Sequence, residues 1–154
     1  MKNLTILIFI FNSAIAFSQK TVLPSSKLNS AVKISLYKKT AGNECGCCEK
    51  SPRIIDENKI HPCFKLLKTF KDGKVNTIIS ILNRQVKSSD FFLKCFTTDY
   101  GLIIYDKNNN VIQDVTMSLV CDKFLFHYDE YAHVFREADK KKLIRLLELK
   151  YSPH

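Results

Sequence analysis

Two β-rich runs around an asparagine-rich turn form the strongest pattern of hydrophobic and polar positions in the chain. The runs cover 102–105 and 111–120 and are rich in β-branched and aromatic residues, which favour strands. The turn at 106–110 contains three consecutive asparagines, which tolerate the positive φ angles of tight turns. The pattern predicts an antiparallel β-hairpin.

The second run alternates between apolar and polar positions, as expected for a sheet that is covered on one side. We therefore expect one buried face and one mostly solvated face. The two sets are Val111, Val115, Met117 and Leu119 against Ile112, Asp114, Thr116 and Ser118.

The length of the turn sets the register of the hairpin. A two-residue turn at 108–109 places Leu102 opposite Val115 and Tyr100 opposite Met117, which keeps apolar residues beside apolar residues. A three-residue turn would mismatch these faces, because a slip of one residue moves every side chain to the other face. The apolar pattern therefore predicts the two-residue turn.

Two cysteines stand at the open end of the hairpin, and they favour a different register. A three-residue turn places Cys95 opposite Cys121, whereas the two-residue turn leaves them one position apart. Both demands are met if the segment 97–99 leaves the ladder as a bulge or loop. A disulfide between these cysteines would contribute about 3 kcal/mol by constraining the unfolded chain.

The remaining segments complete the prediction of the fold. Their order is strand, cysteine-containing loop, helix, hairpin, strand and helix, which indicates an α+β fold. We expect an antiparallel sheet of about four strands with helices on one face, stabilised by cysteines. The predicted segments are strands over 31–37 and 123–128, a loop over 38–60, a short helix over 62–70, and helices over 75–86 and 137–150.

The first residues have the pattern of a secretory signal peptide. Lys2 precedes an apolar run over 4–11, and small residues precede a cleavage point before Gln19. The run is too short to span a bilayer, and we expect no membrane span after cleavage. The protein is therefore predicted to be exported, to the periplasm or the extracellular space. The predicted organisation is a signal peptide at 1–18, a flexible lead-in at 19–30 and a single α+β domain at 31–154.

The chain is basic, with 24 Lys and Arg residues against 15 Asp and Glu residues and a formal net charge of +9 at pH 7. Such a charge favours an acidic protein or an acidic component of the cell envelope as partner. The one dense run is Lys140, Lys141 and Lys142, near Arg145, although a solvated helix face is the simpler interpretation. No nucleic-acid-binding motif is present, so we expect no nucleic-acid partner.

The hairpin and its flanking cysteines also carry a resemblance to other proteins. The matching residues are Cys95-Phe96, the stretch Tyr100-Gly101-Leu102-Ile103-Ile104-Tyr105-Asp106-Lys107-Asn108, and a strand that ends at Cys121. This pattern resembles small exported bacterial proteins of uncharacterised function. The resemblance implies export and the fold, but no activity. In that family a Cys-Phe-x-Cys motif ends the second strand, whereas Ser118 stands here in place of its first cysteine.

A second group of cysteines is the best candidate for chemistry. Six cysteines in an exported chain predict three disulfides. If Cys95 pairs with Cys121, two cysteines of the second group must pair across two residues or fewer, which strains the bond and makes it reducible. The group consists of Cys45, Cys47, Cys48 and Cys63.

Three interpretations of this group stay open. It could bond to Cys95 and Cys121 across the end of the sheet, or two of its thiols could stay free or form a redox-active bond. It could also bind zinc or copper, which suit thiolate ligands, although its C-x-C-C spacing departs from the usual zinc knuckle. Disulfides without a cofactor are the leading prediction. The candidate metal ligands are Cys45, Cys47, Cys48, His61 and Cys63.

Other chemistry has little support in the sequence. His127 and His133 flank Asp129 and Glu130, a group that could bind a metal or titrate as a switch, although solvated loop residues are the simpler interpretation. No nucleophile elbow or phosphate-binding glycine loop is present. We therefore expect no enzyme but an exported, disulfide-stabilised domain that binds another macromolecule at the cell envelope, as an inhibitor, an immunity protein or an envelope factor does. The alternative is a metal- or thiol-handling protein that uses the second cysteine group.

Overall fold

The computed structural model describes five parts of the chain, and for Val86 and Lys87 it describes the backbone only. Four cysteines, the predicted signal peptide and nearly all of the predicted lead-in lie outside these parts. No helix within them is long and apolar enough to cross a membrane. The described residues are 28–40, 53–84, 86–87, 97–127 and 132–149.

Nine strands and two helices form in the described residues. Seven strands make one sheet in the order β4-β1-β6-β7-β8-β9-β5, and β2 pairs with β3 in a separate hairpin. Every pair is antiparallel, which confirms the α+β class with a larger sheet than expected. The bounds are β1 Lys33–Lys39, β2 Ile55–Asp56, β3 Lys59–Ile60, β4 Phe64–Lys71, α1 Gly73–Asn83, β5 Val86–Lys87, β6 Tyr100–Tyr105, β7 Val111–Ser118, β8 Lys123–Phe126, β9 His133–Val134 and α2 Glu137–Leu147.

The register of the central hairpin, β6 and β7, is confirmed. Tyr100 lies opposite Met117 and Leu102 lies opposite Val115. All four side chains are buried in the main core. The apolar alternation therefore selects the pairing, because a slip would expose this whole set.

The turn between these strands is longer than the predicted two residues. Asp106 accepts hydrogen bonds through Oδ1 from the backbone N–H groups of Asn108 and Asn110, at 2.9 and 2.8 Å. Asn109 adopts a φ of 66°, in the left-handed region that asparagine tolerates. The register consequently shifts by one residue beside Tyr105. The irregularity predicted for 97–99 thus lies at the turn end of the ladder instead. Asp99 has not left the ladder, because its N–H donates to the carbonyl of Met117 and its carbonyl accepts from the N–H of Lys39.

The prediction of a short helix over 62–70 is wrong, because this segment forms the edge strand β4. It pairs with β1 along its length, with a register shift beside Tyr37. Phe64 and Phe70 are buried, while Leu66 and Leu67 are more than half exposed. In a regular strand apolar and polar side chains would alternate, but the register shift allows two adjacent leucines. The spacing of apolar residues in this segment therefore resembles that of a helix.

The two longer helix predictions are confirmed, with α1 and α2 both ending earlier than expected. They cover the same face of the sheet and enclose the main core, to which each contributes apolar residues. Arg84, at the end of α1, forms a 2.9 Å ion pair with Asp139 in α2. The predicted arrangement of helices on one face is therefore correct.

The opposite face of the sheet was predicted to be mostly solvated, and it is buried. The polar side chains Asp114 and Thr116 are each 4% exposed, and Ser118 is fully buried. Ile54 is also fully buried and lies directly over Gly101 of β6. The loop prediction for 38–60 is wrong for 38–39, which end β1, and for 55–60, which form the hairpin of β2 and β3. The segment 53–60 covers part of this face.

A second, smaller core forms under this segment. It contains Tyr37, Ile54, Cys63, Phe64 and Ile103. The β2–β3 hairpin above it turns tightly, because two consecutive residues of its turn have φ values of 45° and 62°. The helices thus cover one face of the sheet, and this segment covers part of the other face.

Candidate functional site

Cys63 and Cys121 are the two candidate cysteines within the described residues, and they lie at the same end of the sheet. Cys63 is fully buried, and its carbonyl accepts a hydrogen bond from the backbone N–H of Thr40 at 2.8 Å. The backbone N–H of Cys121 donates to Ser118 Oγ at 3.3 Å, just beyond β7. Both cysteines are disulfide-bonded.

The two cysteines are too far apart to bond to each other. They are separated by three strand spacings, from β4 through β1 and β6 to β7, which amounts to about 14 Å. A disulfide requires a Cα separation below about 7 Å. The other four cysteines lie outside the described residues. The pairing of Cys95 with Cys121 and the state of Cys45, Cys47 and Cys48 stay predictions.

The proposed metal ligands gain no support from the two members that are described. A sulfur held in a disulfide is not available as a thiolate, and His61 Nδ1 accepts a hydrogen bond from the backbone N–H of Cys63 at 3.2 Å. The His61 ring also packs edge-on against Phe64. In the described ranges no group of three or more His, Cys, Asp or Glu residues could hold a metal ion. His61 therefore shapes the turn before β4.

The proposed pair of His127 and His133 is wrong, because the two residues lie on opposite faces of the sheet. His133 is opposite Phe124 on β8, is 1% exposed and stacks on the Phe124 ring at 5.1 Å. His127 instead lies against Asp114 of β7, with 3.2 Å between Nδ1 and Oδ1. Asp129 and Glu130 lie outside the described residues.

The pair of Asp114 and His127 forms one wall of a cleft of about 270 Å³. Burial raises the pKa of the Asp114 carboxyl, and its interactions with His127 and Arg53 offset only part of this effect. A carboxylate that orients an imidazole is part of a catalytic triad, but a triad also needs a nucleophile. The other described residues of the lining are Ile55, Asn58, Val111, Ile112 and Gln113, none of which is a nucleophile.

We expect Asp114→Asn to raise the melting temperature at pH 7. Because the pKa of Asp114 is raised in the folded state, the folded protein binds this proton more tightly than the unfolded chain. Its contribution to stability is present at low pH and is lost as the pH rises through the raised pKa. The amide keeps the shape of the neutral acid, so the gain should disappear below about pH 4, the ordinary pKa of aspartate.

Circular dichroism melting curves at several pH values check this expectation, with the exposed Asp56→Asn as control. A lower melting temperature for Asp114→Asn at pH 7 would contradict it. Such a result would mean that the ion pair with His127 outweighs the cost of burying the charge.

The exposed apolar surface of the edge strand β4 was not evident from the sequence. Leu66 is 56% exposed and Leu67 is 52% exposed. No described strand pairs with the outer side of β4. Leu67 also lines a groove of about 290 Å³ between the sheet edge and the end of α2. The lining consists of Leu36, Lys38, Leu67, Lys68, Tyr100, Leu147, Glu148 and Leu149.

Lysines that are scattered in the sequence come together on the same edge. Strands β1 and β4 together contain six lysines and no acidic residue. Glu148 is a nearby acid, and its ion pairs with Lys68 at 2.5 Å and Lys74 at 3.4 Å hold the pKa of its carboxyl below the usual range. We define this surface, formed by β1, β4 and the groove, as the basic edge.

The lysine run in α2 is a weaker candidate for binding an acidic partner than the sequence indicates. Lys140 is buried and forms an ion pair with Asp122. Lys141 lies 3.2 Å from Glu137 on the same helix. Two of the three lysines in the run therefore already have acidic partners within the domain.

No family model, curated protein or solved structure matches the chain. The resemblance of the hairpin to small exported bacterial proteins therefore stays a prediction. Any functional proposal for this protein depends on its own residues, and the basic edge is the surface feature that its folding does not explain.

Proposed function

We propose that the protein is an exported, disulfide-stabilised domain without catalytic activity that binds another macromolecule at the cell envelope. An inhibitor, an immunity protein or an envelope factor would act in this way. The observation that carries the proposal is the pair of exposed leucines, Leu66 and Leu67, on the edge strand β4.

Binding at this edge has a clear source of free energy. Burying a leucine side chain completely contributes about 1.5–3 kcal/mol, so two leucines that are half exposed could contribute about 2 kcal/mol together. An edge strand also offers unpaired backbone N–H and C=O groups to an incoming strand. Neither leucine belongs to the main core or to the second core of the described residues.

Two further observations support the other parts of the proposal. The cleft beside Asp114 and His127 has no nucleophilic side chain in its described lining, which favours binding over catalysis. The disulfides at Cys63 and Cys121 and the signal-peptide pattern at 1–18 both favour an oxidising compartment outside the cytoplasm. No described residue adds support to the alternative of a metal- or thiol-handling protein.

The double variant Leu66→Ser/Leu67→Ser tests the proposal. The wild type, the double variant and a control, Val120→Ser, would each be immobilised and exposed to an envelope extract of the source organism. Val120 is 58% exposed and follows β7, away from β4. We expect a macromolecule that the wild type and the control retain, with recovery at least about tenfold lower for the double variant, the effect of losing about 1.4 kcal/mol.

Quantitative mass spectrometry of the three samples provides the measurement, and melting curves show whether all three proteins are folded. Identical sets of retained macromolecules for the wild type and the folded double variant would overturn the proposal for β4. Turnover of a generic substrate that is lost on Asp114→Asn would overturn the absence of catalysis.

A further inference from the structure

We propose that the partner presents an acidic extended strand, which adds to the sheet along the outer side of β4. This inference rests on the proposed function, because it names the chemistry of the partner that the same surface would bind. It follows from the direction of the backbone groups, the distribution of charge and the shape of the basic edge.

The backbone of β4 is arranged to accept another strand. The carbonyl of Cys63 accepts from the N–H of Thr40 and so points toward β1. In an antiparallel ladder successive residues point their backbone groups to opposite sides. Leu66 therefore points its N–H and C=O groups away from β1, whereas the N–H of Phe64 already donates to the carbonyl of His61 at 2.9 Å. No described strand pairs with that side of β4, so a partner strand can.

The charges of the basic edge select the kind of strand. Lys65 and Lys71 are exposed and form no ion pair with any described residue, while Lys68 is paired with Glu148. The register shift in β4 places Lys65 and Lys71 on opposite faces of the sheet, so acidic residues at alternate positions of a regular strand would lie on the face of one of these lysines. Opposite charges across a strand pair stabilise it. A neutral strand would desolvate the lysines without this compensation.

The same charges act against a second copy of this chain as the occupant. Two β4 strands paired with each other would bring three lysines of one copy close to three lysines of the other. Like charges across a strand pair are destabilising, and lysines on an edge strand are a common means of preventing self-association. The basic edge therefore disfavours self-association of the protein and favours binding of an acidic strand.

The groove beside β4 adds an apolar requirement. Its volume of about 290 Å³ is bounded by Leu67 on the strand and by Leu147 and Leu149 at the end of α2. An apolar side chain of the added strand could enter it, because side chains of a strand alternate between the two faces. The best ligand is consequently a strand that alternates acidic and apolar residues.

Synthetic peptides of about ten residues, the upper end of common strand lengths, provide the test. The probe alternates valine with glutamate, and two matched peptides alternate valine with glutamine or with lysine. Fluorescence anisotropy would measure binding to the full protein at low and at high salt. We expect the glutamate peptide to bind at least about tenfold more tightly than the glutamine peptide, with affinity that falls steeply with salt.

Three variants of the protein separate charge from strand pairing. The variant Lys65→Gln/Lys71→Gln should lower the affinity for the glutamate peptide at least about fivefold. The matched variant Lys141→Gln/Lys142→Gln on α2 should leave this affinity unchanged. Leu66→Pro removes an outward N–H and should weaken binding at least about fivefold, while Leu66→Thr keeps that donor. Melting curves would show that each variant is folded.

The possible results distinguish the partner from the site. A heparin fragment or anionic vesicles could bind as tightly as the glutamate peptide and be unaffected by Leu66→Pro. This result would show that the basic edge attracts any polyanion, and it would overturn the inference. If the glutamate peptide does not bind but an envelope macromolecule still depends on Leu66 and Leu67, the acidic strand is wrong and the proposed function stands. If neither depends on these leucines, both are wrong.

Discussion

Replacing Gly101 with alanine will destabilise the folded protein by about 3 kcal/mol, because the new methyl group has no room above β6. A Cβ at this position would lie 2.3 Å from Cδ1 and 2.9 Å from Cβ of Ile54. The first atom can move by rotation of the side chain, but the second is fixed to the backbone of the segment that covers the sheet. The segment would have to rise, and the second core would open.

Thermal unfolding of Gly101→Ala should show a melting temperature lower by about 10 °C or more. The double variant Gly101→Ala/Ile54→Ala removes Cδ1 and Cγ1 of Ile54, which lie 2.3 and 3.0 Å from the added Cβ, and keeps Cβ. The two changes should therefore be less destabilising together than the sum of the single variants. Gly73→Ala is a matched control, because no atom lies within 4 Å of a Cβ at that glycine. A Gly101→Ala protein as stable as the wild type would show that Ile54 does not hold the segment down.

Phe124→Ala will have an effect of similar size on the main core, with an expected loss of about 3–5 kcal/mol in the free energy of unfolding. Phe124 is fully buried. Its ring lies 5.1 Å from the ring of His133, 5.3 Å from that of Phe126 and 4.7 Å from that of Phe135. Removing it leaves a cavity and takes away a ring contact between β8 and β9, which stay paired through their backbones.

Denaturant titration followed by circular dichroism would measure the loss for Phe124→Ala. Phe124→Leu, which keeps most of the volume, should be less destabilising, and the exposed Val120→Ala should change stability by less than about 0.5 kcal/mol. A loss below about 1 kcal/mol for Phe124→Ala would contradict a central role of this ring in the core.

The parts of the fold that the sequence predicts correctly are those set by neighbouring residues. The hairpin of β6 and β7 has a short connection, so its apolar alternation is sufficient to fix which residues face each other. The helices α1 and α2 have a continuous apolar stripe, which the core requires wherever it lies. In each case the signal and the structure involve the same short stretch of chain.

The strand β4 could not be predicted in this way, because its structure depends on β1. The register shift beside Tyr37 lets Leu66 and Leu67 stand side by side in a strand, and a single sequence does not show where such a shift falls. The prediction that the second face of the sheet is mostly solvated was wrong for a related reason. Polar residues such as Thr116 indicate solvent, but the cover comes from Ile54, and the available signal was Gly101, a glycine inside a strand.

In the candidate sites, too, the sequence shows which residues are present but not which distant segments the fold brings together. The cysteines were evident from composition, but their partners depend on distances in space. The pair of Asp114 and His127 requires the register of β7 against β8, in which Val115 lies opposite Phe126. The basic edge combines β1 with β4, which are adjacent in the sheet but separated in the sequence, so its lysines look scattered in the chain.

The order of strands in the sheet also has a consequence for the time at which the protein can fold. Strands β4 and β5 form the two edges and are joined through α1, yet the central strands β6 and β7 are synthesised after all three. A growing chain that ends after β5 holds both borders of the sheet without its middle, and β1 with β4 alone is a two-stranded ribbon of marginal stability. The sheet therefore cannot be completed until the strands that follow β5 have been synthesised.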